Sequence, residues 1–400
     1  MAEVRAFRAI RYDERVAGRL SDLLCPPYDV ISPEQRARLE ARSPHNFIRV
    51  ELPREDAGGY ANAAGLLREW RKTHVLRQDL PASLYIDDHE FSVAGVAASR
   101  RQVFVALRLH ELGEGVVLPH ERTFPKAKAD RLELLRATRT NTSPVFGMID
   151  AAGAIAKLAA ASHELASGVL DGDTHRLRAV TNPDAIADFA AAVEGERVYI
   201  ADGHHRYETA VIYANERRAG TDAQERFTLA SLSALDDPGL RIFGTHRVVK
   251  GARAALDAAV ARSFDTAPID RGGIDDVQPG LVIARDGAFT RLEVKRGVDR
   301  STMPAAWRDL PVALAEELLV KAAREADAEI AYEHDIDRAI DAGRGGATAV
   351  LIRAVDPHTL RAVSDAGERM PQKTTYFYPK VPAGLVIRTL DDDVPAITHR

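Results

Sequence analysis

Cys25 is the only cysteine in 400 residues, so an intrachain disulfide is excluded and a reducing compartment is expected. No stretch approaches the ~18 uninterrupted apolar residues of a membrane-spanning helix. The opening MAEVRAFRAIRYDERVAG has scattered charges where a signal peptide would have an apolar segment. An excess of basic charge is also missing. With 54 Lys and Arg against 59 Asp and Glu the net charge is −5, which argues against a general nucleic-acid surface and leaves room only for a local basic cleft. There is no internal repeat and no low-complexity tract. The absences point to a soluble, cytoplasmic protein with a small-molecule ligand and neither nucleic acid nor membrane as partner. They leave homo-oligomerisation open.

Familiar catalytic signatures are missing too. The chain has no G-x-x-x-x-G-K-[ST], no G-x-G-x-x-G, no G-x-S-x-G and no H-E-x-x-H in a zinc-like context. A P-loop kinase, a Rossmann dehydrogenase and a serine hydrolase are therefore poorly supported.

What is present suffices for a large core, with 46% hydrophobic and 28% charged residues. The length suggests two substructures, and the pattern changes near residue 250. Residues 1–250 read as an N-terminal α/β region and 251–400 as an α+β C-terminal region, whose segment 370–389 is expected to return to the site. In the first region VRAFRAIRY, SLYIDDHEFSV, RRQVFVALRLHEL and SPVFGMID read as strands. YANAAGLLREWRKTHVL, residues 127–139 and residues 154–166 read as helices. SPEQ has the form of a helix start, with Ser32 as N-cap and Pro33 in the first turn. In the second region GLVIARDGAFTRLEVKR reads as a hairpin across Asp286 and Gly287.

The most informative stretch is VYIADGHHRYETAVIYANERR. It reads as strand, Asp202-Gly203 turn and helix, with Tyr207, Ala210, Val211 and Ala214 forming a stripe at helical spacing. His204, His205 and Arg206 then fall at the helix N-terminus. Exposed backbone N–H groups there attract anions, and a guanidinium fork fits phosphate oxygens. Gly203 suits a left-handed backbone or a close ligand approach. A metal site and a plain polar loop compete with the phosphate seat. Adjacent histidines at one helix start rarely converge on one ion, unlike histidines a full turn apart.

Four further segments carry candidates. HERTFPKAKADR places His120 and Glu121 before Lys126, Lys128 and Arg131; an ionised Glu can accept a hydroxyl proton, though such a charge run also suits a solvated, salt-bridged helix. MPQKTTYFYPK offers Lys373, Thr374, Thr375 and Lys380 beside three aromatics. CPPYDV presents Tyr28 and Asp29 from an extended or turn segment after Pro26 and Pro27, and GTHR adds His246 and Arg247. Cys25 has no helix N-terminus to activate it and reads as structural.

CPPYDVIS, HERTFPKAKADRLELLRATRTNTSPVFG, ADGHHRYETA, THR and MPQKTTYFYPK, in this order over residues 4–389, resemble the DUF1015 family. More remotely, G-H-H-R-Y-x-x-A is similar to the phosphate-binding box of the ParB/sulfiredoxin superfamily, with Gly203 on the box glycine and Arg206 on its arginine. The resemblance implies an α/β (α+β) fold with a ParB/sulfiredoxin-like core and an added α+β C-terminal portion. Where sulfiredoxins keep their reactive cysteine this chain has His204, so redox activity is not implied. The superfamily includes kinases of free serine. What is implied is a phosphotransferase passing a phosphoryl group from pyrophosphate or a nucleotide to free L-serine or a similar hydroxylated metabolite.

On this reading Gly203, His204, His205, Arg206, His120, Lys126, Lys128, Arg131, Lys373, Thr374, Thr375 and Lys380 bind phosphate. Glu121 is the first candidate for the base, with Asp202 as the alternative, and either could hold Mg²⁺. Two other readings share the anion seat: a non-enzymatic nucleotide-binding switch of ParB-like type, and a phosphoester hydrolase.

Overall fold

The computed structural model describes residues 1–121, 125–274 and 280–391, the side chains of 125–127 excepted. The chain divides into two compact units. One comprises Met1–Pro119, Thr123–Leu240 and Pro379–Arg400, the other His120–Arg122 and Arg241–Tyr378. The division thus falls after Leu240, ten residues ahead of the change in sequence pattern, and the second unit takes in three residues from the HERTFPK block. The α+β class expected from sequence is what the structure shows. Among the described residues no helix is long and apolar enough to cross a membrane.

The first unit is built on a nine-stranded mixed sheet. Its order is Val117–Pro119, Val198–Asp202, Val145–Ile149, Phe227–Ala234, Val96–Arg108, Leu84–Val93, Asp173–Val180, His163–Leu170, with Val4–Arg5 added beside Val96–Arg108. One face is apolar: Leu84, Ile86, Val103, Val105 and Leu107 pack with Ile155 and Leu158 of helix Ala152–Ala160 and with Ile186, Phe189 and Val193 of helix Pro183–Glu194. Side chains alternate along a strand, so the intervening residues Tyr85, Asp87, His89, Arg100, Gln102, Phe104 and Ser231 fall on the opposite face, where all are buried. A polar buried sheet face is unusual, and it runs toward Phe146 and Asp202 through the register of Ser231, Phe146 and Asp202.

Two sequence expectations need correction here. The helix expected over 154–166 ends at Ala160, and His163–Leu170 is an edge strand. Only alternate positions near its end are buried, which left a helix-like composition without a strand signature. VRAFRAIRY is two short strands, Val4–Arg5 and Ile10–Tyr12, pairing with different partners.

The second unit has a six-stranded antiparallel sheet ordered Phe264–Ile269, Ala288–Val294, Leu281–Arg285, Thr348–Ile352, His246–Lys250, Glu329–Glu333. Val282, Ala284, Val248, Ala349 and Leu351 pack on Ala339 and Ile340 of helix Ile336–Arg344. The Asp286-Gly287 hairpin forms as expected: Arg285 opposes Ala288, and both turn residues have positive φ, 53° and 83°. That is the turn handedness matching strand twist. A separate two-stranded ribbon pairs Arg241–Gly244 with Thr375–Tyr378, so part of MPQKTTYFYPK is a strand.

Candidate functional site

Strand Val198–Asp202 is buried through Ala201, and a register shift between Ile200 and Asp202 ends it. Gly203 follows with φ 85° and ψ 27° and forms the N-cap of helix His204–Glu216. The stripe of that helix is buried as its spacing suggests, at Tyr207, Ala210 and Ala214, with Val211 half-buried. Gly203 has no side chain and so supplies no capping acceptor to the first N–H groups of the helix. His204 and His205 occupy the first turn, both half-buried.

Arg206 folds back under the turn. Its Nη2 donates to Asp202 Oδ2 at 2.8 Å, and its Nη1 donates to the Pro144 carbonyl at the start of strand Val145–Ile149. A Cβ on Gly203 would lie 2.9 Å from Arg206 Nε, so glycine is required both by backbone conformation and by this contact. Arg206 Nε itself is buried with no hydrogen-bond partner among the described residues. On the other side Lys380 Nζ donates to Asp202 Oδ1 at 2.6 Å. Burial would raise the Asp202 pKa, but Lys380, then Arg206 and His204, outweigh it and hold the carboxyl well below the usual carboxylate range.

Lys380 reaches this position because the chain after Pro379 is tied to the first unit. Ala383 and Cys25 exchange backbone hydrogen bonds of 2.9 and 3.3 Å, and buried Arg388 donates to Asn141 and to the Phe227 carbonyl. The same pairing fixes the segment leading to Tyr28. Burial pushes the Tyr28 hydroxyl up, with Asp29 adding to the shift and Arg131 and Arg206 opposing it. The Arg131 guanidinium lies 4.0 Å over the Tyr28 ring. Asp29 itself is exposed.

Arg131 and Lys128 are committed to protein partners. Arg131 is buried, donating to Asp130 at 2.7 Å and to the Glu51 carbonyl at 2.8 Å. Lys128 Nζ donates to Glu208 at 2.9 Å. The Lys126 side chain lies outside the described residues. Glu51, fully buried, accepts from Thr142 and Ser143 at 2.7 and 2.8 Å. Glu51, Thr142 and Ser143 are not among the residues the sequence singles out; the only signal is an acid placed between Val50 and Leu52. Arg131, Thr142, Ser143, Arg206 and Thr209 line a cavity of about 30 Å³, room for about one water and not for a phosphate.

The second unit gathers a different subset. Glu121 accepts from the backbone N–H of Lys373 at 2.8 Å and of Thr374 at 3.2 Å. His120 Nε2 contacts Thr375 Oγ1 at 2.9 Å, and the His120 carbonyl accepts from Met370 at 2.7 Å. Arg247 is fully buried, donating to Glu316 at 2.7 Å and to the Lys373 and Gln372 carbonyls at 2.9 and 3.2 Å. His246 Nδ1 accepts from the Ile352 N–H at 3.0 Å, and burial, then Arg247, lowers its pKa to about 4. The 370–375 loop is thereby clamped by Glu121, His120 and Arg247. Burial raises the Glu121 pKa against the lowering by these N–H groups and by the Lys373 charge.

The two candidate magnesium ligands do not fit that task as they stand. Each oxygen of Asp202 and of Glu121 already accepts a hydrogen bond, and Asp202 is flanked by two cations that would repel a third.

Comparison with known proteins adds the following. The model of the DUF1015 family, described as a protein of unknown function, matches residues 4–313. No curated protein matches. Among solved structures, a free serine kinase in complex with AMP is 13% identical, covering 65% of this chain and 83% of its own, with a TM-score of 0.36. SbnI with a C-terminal truncation, from Staphylococcus aureus, is 11% identical over 69% of this chain and 87% of its own, at 0.40. A conserved hypothetical protein from Pyrococcus furiosus is 14% identical over 68% and 92%, at 0.36. Likenesses this slight say nothing about the ligand of this chain.

Proposed function

The chain belongs to the DUF1015 family, and on that premise we propose that it transfers a phosphoryl group from a nucleotide or pyrophosphate to the hydroxyl of a small metabolite, free L-serine first. The observation that supports this is the turn Asp202-Gly203 with Arg206 beneath it and Lys380 beside it. The helix that starts at His204 turns the positive end of its dipole toward this turn, where it favours phosphate oxygens. Asp202 serves as an internal counter-ion that keeps the Arg206 and Lys380 cations ordered before an anion arrives. Phosphoryl transfer rests largely on such positioning and charge stabilisation.

Of the two candidate carboxyls, Glu121 has the raised proton affinity a base needs, and Asp202 has the opposite. Incubation with L-serine and ATP, ADP or pyrophosphate, followed by phosphorus NMR, should reveal phosphoserine with at least one donor. Its absence with all three would refute the serine assignment.

A second reading, a nucleotide-binding switch without chemistry, draws support from the protein donors that already engage every oxygen of both carboxylates. Glu121→Gln separates the two. A kinase loses turnover and keeps ligand affinity, whereas a switch is indifferent. Release of free phosphate from phosphoserine, without transfer back to an acceptor, would instead mark a phosphoester hydrolase.

A further inference from the structure

We propose that Asp87, His89 and His175 form a binding site for one transition-metal dication of the zinc class, built into the polar buried face of the first unit's sheet. Strand register sets the cluster. His175 lies opposite His89, His89 opposite Arg100, and Asp87 opposite Gln102, all on one face because they are two residues apart along their strands. The three side chains are 0–1% exposed. One candidate ligand atom from each lies within 4.8 Å of those of the others.

The hydrogen bonds around the cluster orient these groups and leave donor atoms over. Asp87 Oδ2 is 2.9 Å from His175 Nδ1 and accepts from Gln102 Nε2, also at 2.9 Å. Ser231 donates to Gln102 Oε1 at 2.8 Å, which fixes the amide with its NH₂ toward Asp87. His89 Nε2 is 3.1 Å from Asp173 Oδ2. An ionised Asp173 can only accept, so the His89 proton sits on Nε2 and the lone pair on Nδ1. His89 Nδ1 and Asp87 Oδ1 are both buried without a hydrogen-bond partner among the described residues. Two orphaned acceptors within one cluster disfavour an apo core; a bound cation satisfies both.

The donor set selects the ion. Two imidazole nitrogens and a carboxylate oxygen suit zinc and its neighbours in the transition series, whereas magnesium and calcium prefer oxygen alone. Asp173 behind His89 is the carboxylate–histidine arrangement that holds a ligating ring in its tautomer. Charge points the same way. Asp87, Asp237, Asp173 and Asp202 all act on the single buried guanidinium of Arg100. A dication at the cluster would sit among carboxylates that outnumber that guanidinium. Bound metal would pin strands Leu84–Val93 and Asp173–Val180 together. The site uses none of the residues assigned to phosphate.

The test uses the full chain, stripped with chelator, desalted, and titrated with ZnCl₂, CoCl₂ or MgCl₂. The expected result is one zinc or cobalt ion retained per chain through desalting, visible d–d bands with cobalt, a raised thermal midpoint with zinc, and no effect of magnesium. His89→Gln and His175→Gln should each weaken retention by about 10- to 100-fold or more. Absence of retained metal and of cobalt bands in the native-sequence chain overturns the proposal, and that readout does not depend on either variant folding. Retention unchanged in both variants overturns it as well, since the ion would then be held by other groups.

Discussion

A Cβ on Gly203 would stand 2.9 Å from Arg206 Nε, so the backbone of one residue and the guanidinium of the other share a single space. Gly203 also holds φ 85°, where a side chain costs about 1–2 kcal/mol. Gly203→Ala should therefore lower stability by at least that amount and push Arg206 from Asp202 and Pro144. Urea denaturation checks the first effect, and titration with phosphoserine or AMP checks the second.

Lys380 and Asp202, 178 positions apart, form an ion pair in the first unit. The Asp202 pKa is depressed in the folded chain. Its contribution is thus complete above the unfolded-state value of about 4 and is lost as pH falls from there toward the folded value. Lys380→Met removes the largest lowering influence, so the variant should be destabilised near neutrality and lose less stability on acidification than the native sequence. Breaking a largely buried pair costs up to about 3–5 kcal/mol; partial exposure of both groups places the expected loss at the lower end or below. Denaturant midpoints at pH 7 and pH 3 measure both.

Glu121 carries the opposite sign. Its pKa is raised on folding, so its contribution is present below the unfolded-state value of about 4.3 and is lost as pH rises through the folded value. Glu121→Gln sacrifices one backbone acceptor, which costs about 1–3 kcal/mol when the N–H stays buried. Relative to the native sequence, the variant should compare worst at pH 4 and better at pH 7. Equal differences at both values would contradict the shift.

Arg247 ties Glu316 to the carbonyls of Lys373 and Gln372 from a fully buried position. Arg247→Met leaves that carboxylate without its main cation and should cost about 3–5 kcal/mol. Limited proteolysis should show earlier cleavage within 370–375 than in the native chain.

Sequence patterns were legible where a single periodicity decided the outcome. The Tyr207, Ala210 and Ala214 stripe, the Asp286-Gly287 turn and the Ser32 cap, which accepts from Gln35 N at 3.2 Å, all depend on residues a few positions apart. The roles of the cations were not legible. Lys128 and Arg131 share a helix face as spacing suggests, yet their partners Glu208 and Glu51 lie 80 positions away in either direction, and no local pattern reports them. Nothing in GTHR reveals that Arg247 is fully buried. Asp87 and His89 sit two apart in a strand whose alternation signals one apolar face. That His175 comes opposite them depends on pairing that the sequence does not display.

Whether the Gly203–Arg206 turn receives a phosphate decides the proposed function. Calorimetric titration of pyrophosphate, ATP and phosphoserine into the native chain and into Arg206→Ala tests this most directly. A charge-assisted hydrogen bond contributes about 1.5–3 kcal/mol, so at least one of these ligands should bind the native chain and bind the variant about ten- to over a hundredfold more weakly. Equal affinity in a folded variant, or no binding of any of the three to the native chain, would contradict the account.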